Sequence, residues 1–479
     1  MSLGKKAVAG FLWTFTQQFS TQIINFIVQT VLARILAPKE FGLIGMLSIF
    51  ISIGQTLMDS GLTASLIRTE NVDQKDYSTV FFINIIGSIL FYVILFAGAP
   101  FIADFYSQSL LTPLVRVYAL TFIIQAFIGV QSARLTQQMD FKTQLTIQIP
   151  SLIGGGILGV VLAKLGYGVW SLVWMNLFQS FLSTIQHWVY SGWRPNFIFD
   201  KARFKYHFNF GYKMTISGLI ETIYNNIYTI VIGKYFSAVQ VGYYTRSLGL
   251  RQLPISNLST AINKVTYPMF SSIQGDNVKL KIAYKRVLRQ MVFWITPILI
   301  LLAVIANPFI KLLLTEKWLP AVPYFQILCI SGIMYPLKFN LNIIKVKGES
   351  ALRMKLEMVK KSYGIAAIFF AVRYGIFGLL YCQLILDFLE YFVNSFYSGR
   401  LINYSMKEQI KDVLPSLFVA GVVGFLAYLL DSYVRNSFHP ADIVLILTDA
   451  GFYLILYFGL CTIFKFQAIS DFKLLVLKK

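Results

Sequence analysis

The stretch from Ala9 to Gly42, AGFLWTFTQQFSTQIINFIVQTVLARILAPKEFG, decides the fold class. Its residues 10–36 form an apolar run that can cross a bilayer, which takes roughly 20 residues of α-helix. Five polar side chains recur in this run at intervals of three or four residues: Thr14, Gln18, Gln22, Asn25 and Gln29. That spacing places them on one face of a helix. Because amides that face lipid lose their hydrogen bonds, the pattern predicts a membrane helix whose polar face meets protein or water.

The composition of the whole chain also indicates a membrane protein. Of its 479 residues, 56% are hydrophobic and only 13% are charged, whereas about a quarter of a typical soluble domain is charged. The net charge of +21 would suggest nucleic acid as a partner of a soluble protein. Here the basic residues lie in short loops between apolar runs, so we expect no nucleic-acid partner. The few cysteines and histidines are scattered, and the sequence predicts no metal site and no cofactor.

Apolar runs recur along the entire chain and predict an all-α polytopic membrane protein with about fourteen transmembrane helices. The predicted spans lie near residues 10–36, 41–64, 78–101, 112–133, 145–165, 168–190, 208–233, 241–269, 290–313, 323–344, 355–373, 376–398, 413–431 and 441–464. The loops on one side hold 28 Lys and Arg residues and those on the other side hold 8. By the positive-inside rule, both chain termini are predicted to be cytoplasmic.

Two pairs of segments indicate an internal repeat. At an offset of 200 residues, the tail of the first span aligns with the tail of the seventh, so that Asn25 pairs with Asn225, Arg34 with Lys234 and Gly42 with Gly242. In the same order, YGVWSLVWMNL from Tyr167 matches YGIFGLLYCQL from Tyr374. Six predicted spans separate the members of each pair, which favours a duplication.

The repeat predicts two six-helix lobes, residues 1–200 and 201–400. Residues 401–479 lie outside it and are predicted to form two additional spans and a cytoplasmic tail. In transporters built from parallel repeats, the substrate path lies between the repeats near the middle of the membrane. We therefore expect a central cavity between the lobes.

Several strings resemble a known family. VLARILAPKEFGLIGMLSIF, MDSGLTASLIR, LGYGVWSLVW, VIGKYFSAVQVGYYTRS and EKWLPAVPYFQIL are similar to the polysaccharide-exporter branch of the multidrug/oligosaccharidyl-lipid/polysaccharide (MOP) superfamily. Within that branch they most resemble bacterial Wzx-type O-antigen and colanic-acid flippases. The resemblance covers about residues 1–400, with the motifs in the order of the family.

The resemblance implies a flippase of the bacterial cytoplasmic (inner) membrane. Such proteins move undecaprenyl-diphosphate-linked oligosaccharide, a repeat unit of O-antigen, capsule or exopolysaccharide, from the cytoplasmic to the periplasmic leaflet by alternating access. Polysaccharide polymerase and glycosyltransferases are then expected partners. One departure stands out, because relatives often carry an Arg-Asn-x-Asp run in span 7, where this chain has Asn225, Asn226, Ile227 and Tyr228.

The diphosphate of such a substrate calls for cations inside the membrane, since guanidinium forks bind phosphate oxygens in pairs. Six basic residues that belong to no loop lie inside or at the edges of predicted spans, and of these Lys213 and Lys264 can reach a membrane interface. The four that lie deeper are Arg116, Arg246, Arg251 and Lys338. Arg246 ranks first because it belongs to the family-like GYYTRS string. The alternative is that each cation pairs with a nearby acid or carbonyl and holds helices together.

The sugars call for amides and hydroxyls. On span 1 the candidates are Gln18, Gln22, Asn25 and Gln29, and on span 7 they are Asn225, Asn226 and Tyr228. The alternative for these groups is hydrogen bonding between helices. The basic inner loops 191–207 and 271–289 are predicted to rest on anionic membrane lipids.

Coupling to a sodium or proton gradient would require an acid within the membrane. The candidates are Asp59, Glu221, Asp387 and Glu390, of which the last two lie one helical turn apart on span 12. Pairing of these acids with a basic residue is the alternative.

Two other functions compete with the flippase. A multidrug antiporter of the same superfamily would favour a cavity lined by acids, whereas this chain places basic residues in its spans. A membrane polysaccharide polymerase or ligase would carry a long outer loop with catalytic groups, whereas the predicted outer loops are short. The sequence therefore favours a transporter without enzymatic activity.

Overall fold

A computed structural model describes residues 3–59, 61–438 and 440–471. These residues form twenty α-helices and three short 3₁₀ segments, and the described part of the chain contains no strand. The helices are α1 Leu3–Ile35, α2 Pro38–Asp59, α3 Leu62–Arg68, α4 Gln74–Tyr106, α5 Leu111–Tyr118, α6 Leu120–Ala126, α7 Gly129–Gln137, α8 Phe141–Lys164, α9 Val169–Tyr190, α10 Lys201–Asn225, α11 Ile227–Tyr235, α12 Ala238–Ser272, α13 Asn277–Val304, α14 Ala306–Leu314, α15 Val322–Gly332, α16 Leu341–Val346, α17 Ser350–Ala371, α18 Gly375–Leu401, α19 Met406–Phe438 and α20 Asp442–Ile463. The 3₁₀ segments are Glu316–Ala321, Pro336–Asn340 and Val372–Tyr374.

The all-α membrane fold class is confirmed. Among the described residues, eight helical stretches are long and apolar enough to cross a membrane, or nine if the bent pair Leu111–Ala126 and Gly129–Gln137 forms one span. One of the eight, Ser350–Leu401, has 52 residues, which at 1.5 Å per residue is enough for about two crossings. The more polar helices α1, α9, α10 and α12 are not among the eight. The count of fourteen spans stays a prediction.

The chain divides into two compact units, Met1–Gly242 and Tyr243–Lys479. The division falls later than the lobe boundary at residue 200 that the repeat predicts. The physical reason is α10, which packs against α2, α3 and α4 in the first unit. The lobes of 1–200 and 201–400 and the extension 401–479 stay a prediction.

The helix ends follow the predicted repeat. The break between α1 and α2 runs from Ile35 to Pro38, and the break between α11 and α12 runs from Tyr235 to Ala238, at the same offset of 200 residues. The second pair of matched strings also shares a backbone feature, since Gly168 before α9 and Gly375 at the start of α18 both have positive φ, +53° and +76°. The alignment of the two segment pairs therefore corresponds to equivalent turns in the structure.

The first unit contains a main-chain crossing between repeat-related residues. A Cβ atom on Gly42 would overlap the carbonyl oxygen of Ala238, and a Cβ atom on Gly242 would overlap the carbonyl oxygen of Pro38. The contact is reciprocal, because residues 38 and 42 of α2 meet residues 242 and 238 of α12. Two helices can approach this closely only where glycine leaves the backbone bare.

Glycine residues on α8 also allow close packing against α1 and α9. A Cβ atom on Gly156 would lie 2.6 Å from Cγ2 of Val28 on α1, and one on Gly155 would lie 2.9 Å from the carbonyl oxygen of Met175 on α9. The three helices therefore pack closely, and α8 supports α1, the helix that carries the predicted polar stripe.

We expect Gly42→Ala to lower the apparent free energy of unfolding by about 1–3 kcal/mol, because the new methyl group forces α2 away from α12. Gly249→Ala on α12 is the matched control, since no neighbouring group lies within 4 Å of the position that the added methyl group would occupy, and alanine favours the helix. The measurement is thermal unfolding of the purified protein in detergent. Equal stability of the two variants would contradict the close crossing.

Candidate functional site

Arg251 lies inside the second unit, where it bonds α12 to α15. Its side chain is only 9% exposed, and Nη1 donates to the carbonyl oxygen of Leu328 at 3.4 Å and to Oγ of Ser331 at 3.5 Å. The hydroxyl of Ser331 in turn donates to Oδ2 of Asp387 on α18. A predicted diphosphate-binding residue is thus linked through one hydroxyl to a predicted ion-coupling residue.

Lys338, in the 3₁₀ segment before α16, completes the network. Its ammonium lies 2.6 Å from Oδ1 of Asp387 and 2.8 Å from Oε2 of Glu390. All three side chains are largely buried, so the charges compensate one another in a region of low dielectric constant. The ion pairing that the sequence left open as an alternative is therefore observed for this lysine and both acids.

The network is neutral as a whole. Arg251 and Lys338 bring two positive charges, and Asp387 and Glu390 bring two negative charges. Buried charges of this kind persist when each one has a partner with good geometry. Whether these four residues also bind a diphosphate or a coupling cation stays a prediction.

Arg246 lies on a different face of α12. Tyr244 and Ser247 point toward the interior of the second unit, where Tyr244 donates to Gln383 at 3.2 Å and Ser247 donates to the carbonyl oxygen of Ala321 at 3.4 Å. Arg251 continues this face at helical spacing. Arg246, one residue before Ser247, is turned by about 100° from it and is half-buried.

Arg116 belongs to the first unit and contacts α4. Its guanidinium lies over the ring of Phe96 at 4.3 Å, and Nε donates to the carbonyl oxygen of the same residue at 3.2 Å. These contacts hold α5 against α4, in keeping with the alternative in which an interior arginine joins helices.

The polar stripe of α1 is only partly covered within the first unit. Gln18, Gln22 and Gln29 are half-buried, and Asn25 is exposed. The neighbouring Gln17 donates to Gln148 on α8. Amide groups of the stripe are therefore partly accessible along the middle of α1.

Span 7 is interrupted, whereas the sequence predicts one continuous helix over 208–233. The break lies at Asn226, whose Nδ2 donates to the carbonyl oxygen of Thr222 at 2.9 Å and competes with the helical hydrogen bonds. Asn225 and Glu221 are exposed, and Tyr228 is half-buried. The side chain of Asp59, the remaining predicted acid, lies outside the described residues.

Sequence reasoning missed a buried polar cluster at the beginning of α10. His207 and Asp76 are completely buried, with Nε2 of His207 3.1 Å from Oδ1 of Asp76 on α4. Nδ1 of His207 lies 2.8 Å from Oγ of Ser65 on α3. Arg203 adds ion pairs to Asp76 at 3.5 Å and to Asp73 at 3.4 Å.

The contact continues along the same face of α10. A Cβ atom on Gly211 would lie 2.7 Å from the main chain of Gly61, and Thr222 shares a hydrogen bond of 2.8 Å with Thr56 on α2. We call this face, formed by Arg203, His207, Gly211, Thr215, Gly218 and Thr222, the α10 seam.

Small and polar residues make up the α10 seam, and most of α10 outside it is exposed. Only His207 and Gly211 are buried among the described residues of this helix. The intervals of three and four residues were visible in the sequence, but no pattern named the partner helix. Just before α10, the backbone N–H groups of Arg203 and Ala202 hold the pKa of Asp200 below its ordinary value, and this cap fixes the first turn.

Comparison with known proteins gives matches along most of the chain. The model of the family described as polysaccharide biosynthesis protein matches residues 31–323. The teichuronic acid biosynthesis protein TuaB of Bacillus subtilis is 26% identical over 433 residues, covering 89% of each chain. The lipopolysaccharide biosynthesis protein WzxC of Escherichia coli is 26% identical over 447 residues, also covering 89% of each chain.

Two solved structures share the fold. The lipid II flippase MurJ, in an inward closed conformation, has a TM-score of 0.79 at 14% identity and covers 96% of this chain and 100% of its own. A multidrug resistance transporter of the MATE family in the MOP superfamily, in an inward-facing conformation, has a TM-score of 0.60 at 16% identity and covers 80% of this chain and 96% of its own.

We expect Lys338→Met to lower the apparent free energy of unfolding by about 3 kcal/mol, because two largely buried carboxylates lose their counter-charge. The triple variant Lys338→Met, Asp387→Asn, Glu390→Gln removes all three charges and should recover most of the loss. Lys279→Met is the matched control, since its ion pair with Asp276 is exposed and worth little. Unfolding in detergent is the measurement, and a triple variant less stable than Lys338→Met would disprove charge compensation.

Proposed function

Since the chain belongs to the polysaccharide biosynthesis protein family, we propose that it is a flippase for undecaprenyl-diphosphate-linked oligosaccharide. The substrate would be a repeat unit of O-antigen, capsule or exopolysaccharide. It would move from the cytoplasmic to the periplasmic leaflet of the bacterial cytoplasmic membrane, with both termini of the chain cytoplasmic. The family match over residues 31–323 carries this proposal. It also confirms the resemblance noted in the sequence, and the fold of the MOP superfamily agrees with it.

Alternating access requires a contact that closes one side of the path and can separate again. The α10 seam has the composition for this, because glycine, threonine and charged groups accept water when they part. Its charged end, with Arg203, Asp76 and His207, lies on the side that the positive-inside rule assigns to the cytoplasm. In this proposal, α10 leaves α2, α3 and α4 when the site opens to the cytoplasm.

The diphosphate would bind Arg246. Arg251 donates to the carbonyl oxygen of Leu328 and to the hydroxyl of Ser331, and Lys338 pairs with two carboxylates within the second unit. Arg246 lies on a different face of the same helix and keeps its charge at any depth. We assign first contact with phosphate to Arg246, and phosphate binding by Arg251, Lys338 and Arg116 stays a prediction.

The sugars would meet the amides of α1 and the broken span 7. Gln18, Gln22, Asn25 and Gln29 remain partly accessible, as do Asn225 and Asn226, whereas the hydroxyl of Tyr228 is buried. Amide side chains both donate and accept hydrogen bonds, which suits the hydroxyl groups of a sugar. Polymerase and glycosyltransferases of the same polysaccharide are proposed partners.

A coupling cation, sodium or proton, would bind an acid that a basic residue can release. Asp387 and Glu390 share Lys338, so a cation that enters between the two acids would displace the ammonium. Glu221 on the exposed face of α10 is the second candidate. In both cases the cation would change the contacts of a helix that lines the proposed path.

Replacement of Arg246 tests the substrate and the site together. In proteoliposomes with labelled undecaprenyl-diphosphate oligosaccharide, we expect the wild type to exchange substrate between leaflets and Arg246→Ala to be at least about tenfold slower, because one charge-assisted contact is lost. The exposed Arg373→Ala is the matched control and should retain wild-type exchange. Exchange of a cationic drug but not of the lipid would favour the multidrug antiporter, and wild-type exchange by Arg246→Ala would reject the diphosphate site.

A disulfide across the α10 seam tests alternating access. The hydroxyl groups of Thr56 and Thr222 are 2.8 Å apart, so cysteines at these positions are within disulfide reach. In a background in which Cys329, Cys382 and Cys461 are replaced by alanine, oxidation of Thr56→Cys/Thr222→Cys should stop translocation and reduction should restore it. The controls are the single variants Thr56→Cys and Thr222→Cys in the same background, which cannot form this cross-link and should translocate equally before and after oxidation. Transport that continues through a complete Thr56–Thr222 cross-link would show that the seam does not open.

A further inference from the structure

A cavity in the second unit lies where three apolar helices end. It has a volume of about 580 Å³ and is lined by residues of α13, of the first turns of α19 and of the segment that follows α20. Each of these helices is long and apolar enough to cross a membrane. The cavity therefore lies at the level of a membrane surface, on the side that the distribution of Lys and Arg assigns to the cytoplasm.

A ladder of ion pairs forms one wall of this cavity. Lys281, Lys285 and Arg289 follow one another at intervals of four residues on α13 and therefore share a face. Each of the three pairs with an acid. Lys281 lies 2.7 Å from Glu408, Lys285 lies 2.9 Å from Asp412 and Arg289 lies 2.8 Å from Asp471. The ladder binds α13 to the first turns of α19 and to the segment after α20.

The ion pairs of the ladder involve the acids of the cavity wall. Two lysines of the wall are not part of the ladder. Lys411 and Lys465 also line the cavity, and within the described residues neither one has an ion pair. Arg286 adds a further positive charge against Asp471 at 3.7 Å. The cavity thus has an excess of positive charge that the acids in the described part of its wall do not compensate.

Lys465 occupies a backbone position that ordinarily favours glycine. It follows α20 with φ of +49°, and the N–H of Phe466 donates to the carbonyl oxygen of Cys461 at 3.0 Å, as in a helix end of the Schellman type. A left-handed conformation costs a lysine roughly 1 kcal/mol. A lysine that is retained at position 465 despite this cost indicates that its side chain has a role there.

The remaining lining combines the apolar side chains of Phe464, Phe466, Pro415 and Ala468 with the polar Ser416 and Gln467. Phe464 and Phe466 flank Lys465 in the sequence. An anionic group at the lysines would have these apolar surfaces beside it. This combination suits a molecule with a charged head and a hydrocarbon base rather than a free phosphate ion.

From these observations we propose that the cavity binds the phosphodiester headgroup of an anionic phospholipid of the membrane in which the protein lies. Lys411 and Lys465 hold the phosphate, and the aromatic side chains of Phe464 and Phe466 contact the glycerol and the first methylene groups. The bound lipid joins the segment after α20 to α13 and α19. The inference does not depend on the proposed transport activity, because it concerns a lipid that stays bound.

Binding of phosphatidylglycerol to the full-length protein tests the site. In detergent, native mass spectrometry should show phosphatidylglycerol retained in preference to phosphatidylcholine, and thermal unfolding should shift upward with the anionic lipid alone. The variant Lys411→Gln/Lys465→Asn keeps the helical preference at 411 and tolerates the left-handed backbone at 465. It should weaken phosphatidylglycerol binding by at least about tenfold, since each basic residue near a membrane surface contributes several-fold.

Matched controls separate the possible outcomes. Lys39→Gln/Lys164→Gln removes two exposed lysines elsewhere and should leave the lipid preference unchanged. Unfolding in phosphatidylcholine alone should be the same for both double variants, which shows that each one folds. The proposal is overturned if Lys411→Gln/Lys465→Asn retains the wild-type preference, or if soluble glycerol phosphate shifts unfolding as much as the lipid does.

Discussion

Where α2 crosses the start of α12, main chain meets main chain, because neither Gly42 nor Gly242 has a side chain. Pro38 and Ala238 supply the opposite carbonyl groups, so each half of the contact repeats the other at an offset of 200 residues. A crossing of this kind fixes the distance between two helices more strictly than apolar side chains can, since carbonyl groups do not change rotamer. The ends of α1 and α11, just before the crossing, follow the same offset.

Around this constraint, the charged residues inside the protein fall into different classes. Lys338, Asp387 and Glu390 compensate one another, and Arg251 joins them through a serine hydroxyl. These contacts stabilise the packing of α12, α15 and α18. A substrate that carries two phosphate groups is bound by cations that can reach its oxygens. In the proposed transport this cation is Arg246, which lies on a different face of α12 from Arg251.

Polar residues have different roles at the two places where they line a helix face. In the α10 seam, glycine and threonine alternate with a buried cluster of His207 and Asp76, and few apolar groups would be exposed if the helices separated. In the ladder, three ion pairs at regular spacing join α13 to α19 and to the segment after α20. The helices α13, α19 and α20 also bury apolar side chains around Phe293 and Tyr457. The first contact suits motion, and the second suits a fixed support for the C-terminal helices.

The sequence alone determined the membrane class, the repeat at Gly42 and Gly242 and the family, because hydropathy, offset and motif order are properties of the chain. It also determined the spacing of the polar residues on α1. Only the tertiary structure showed that Lys338 meets Asp387 and Glu390, that His207 meets Asp76 and that Asn226 interrupts span 7. Helical spacing says which residues share a face, but it does not say which helix lies opposite, and the partner decides whether a buried charge is compensated or available to a ligand.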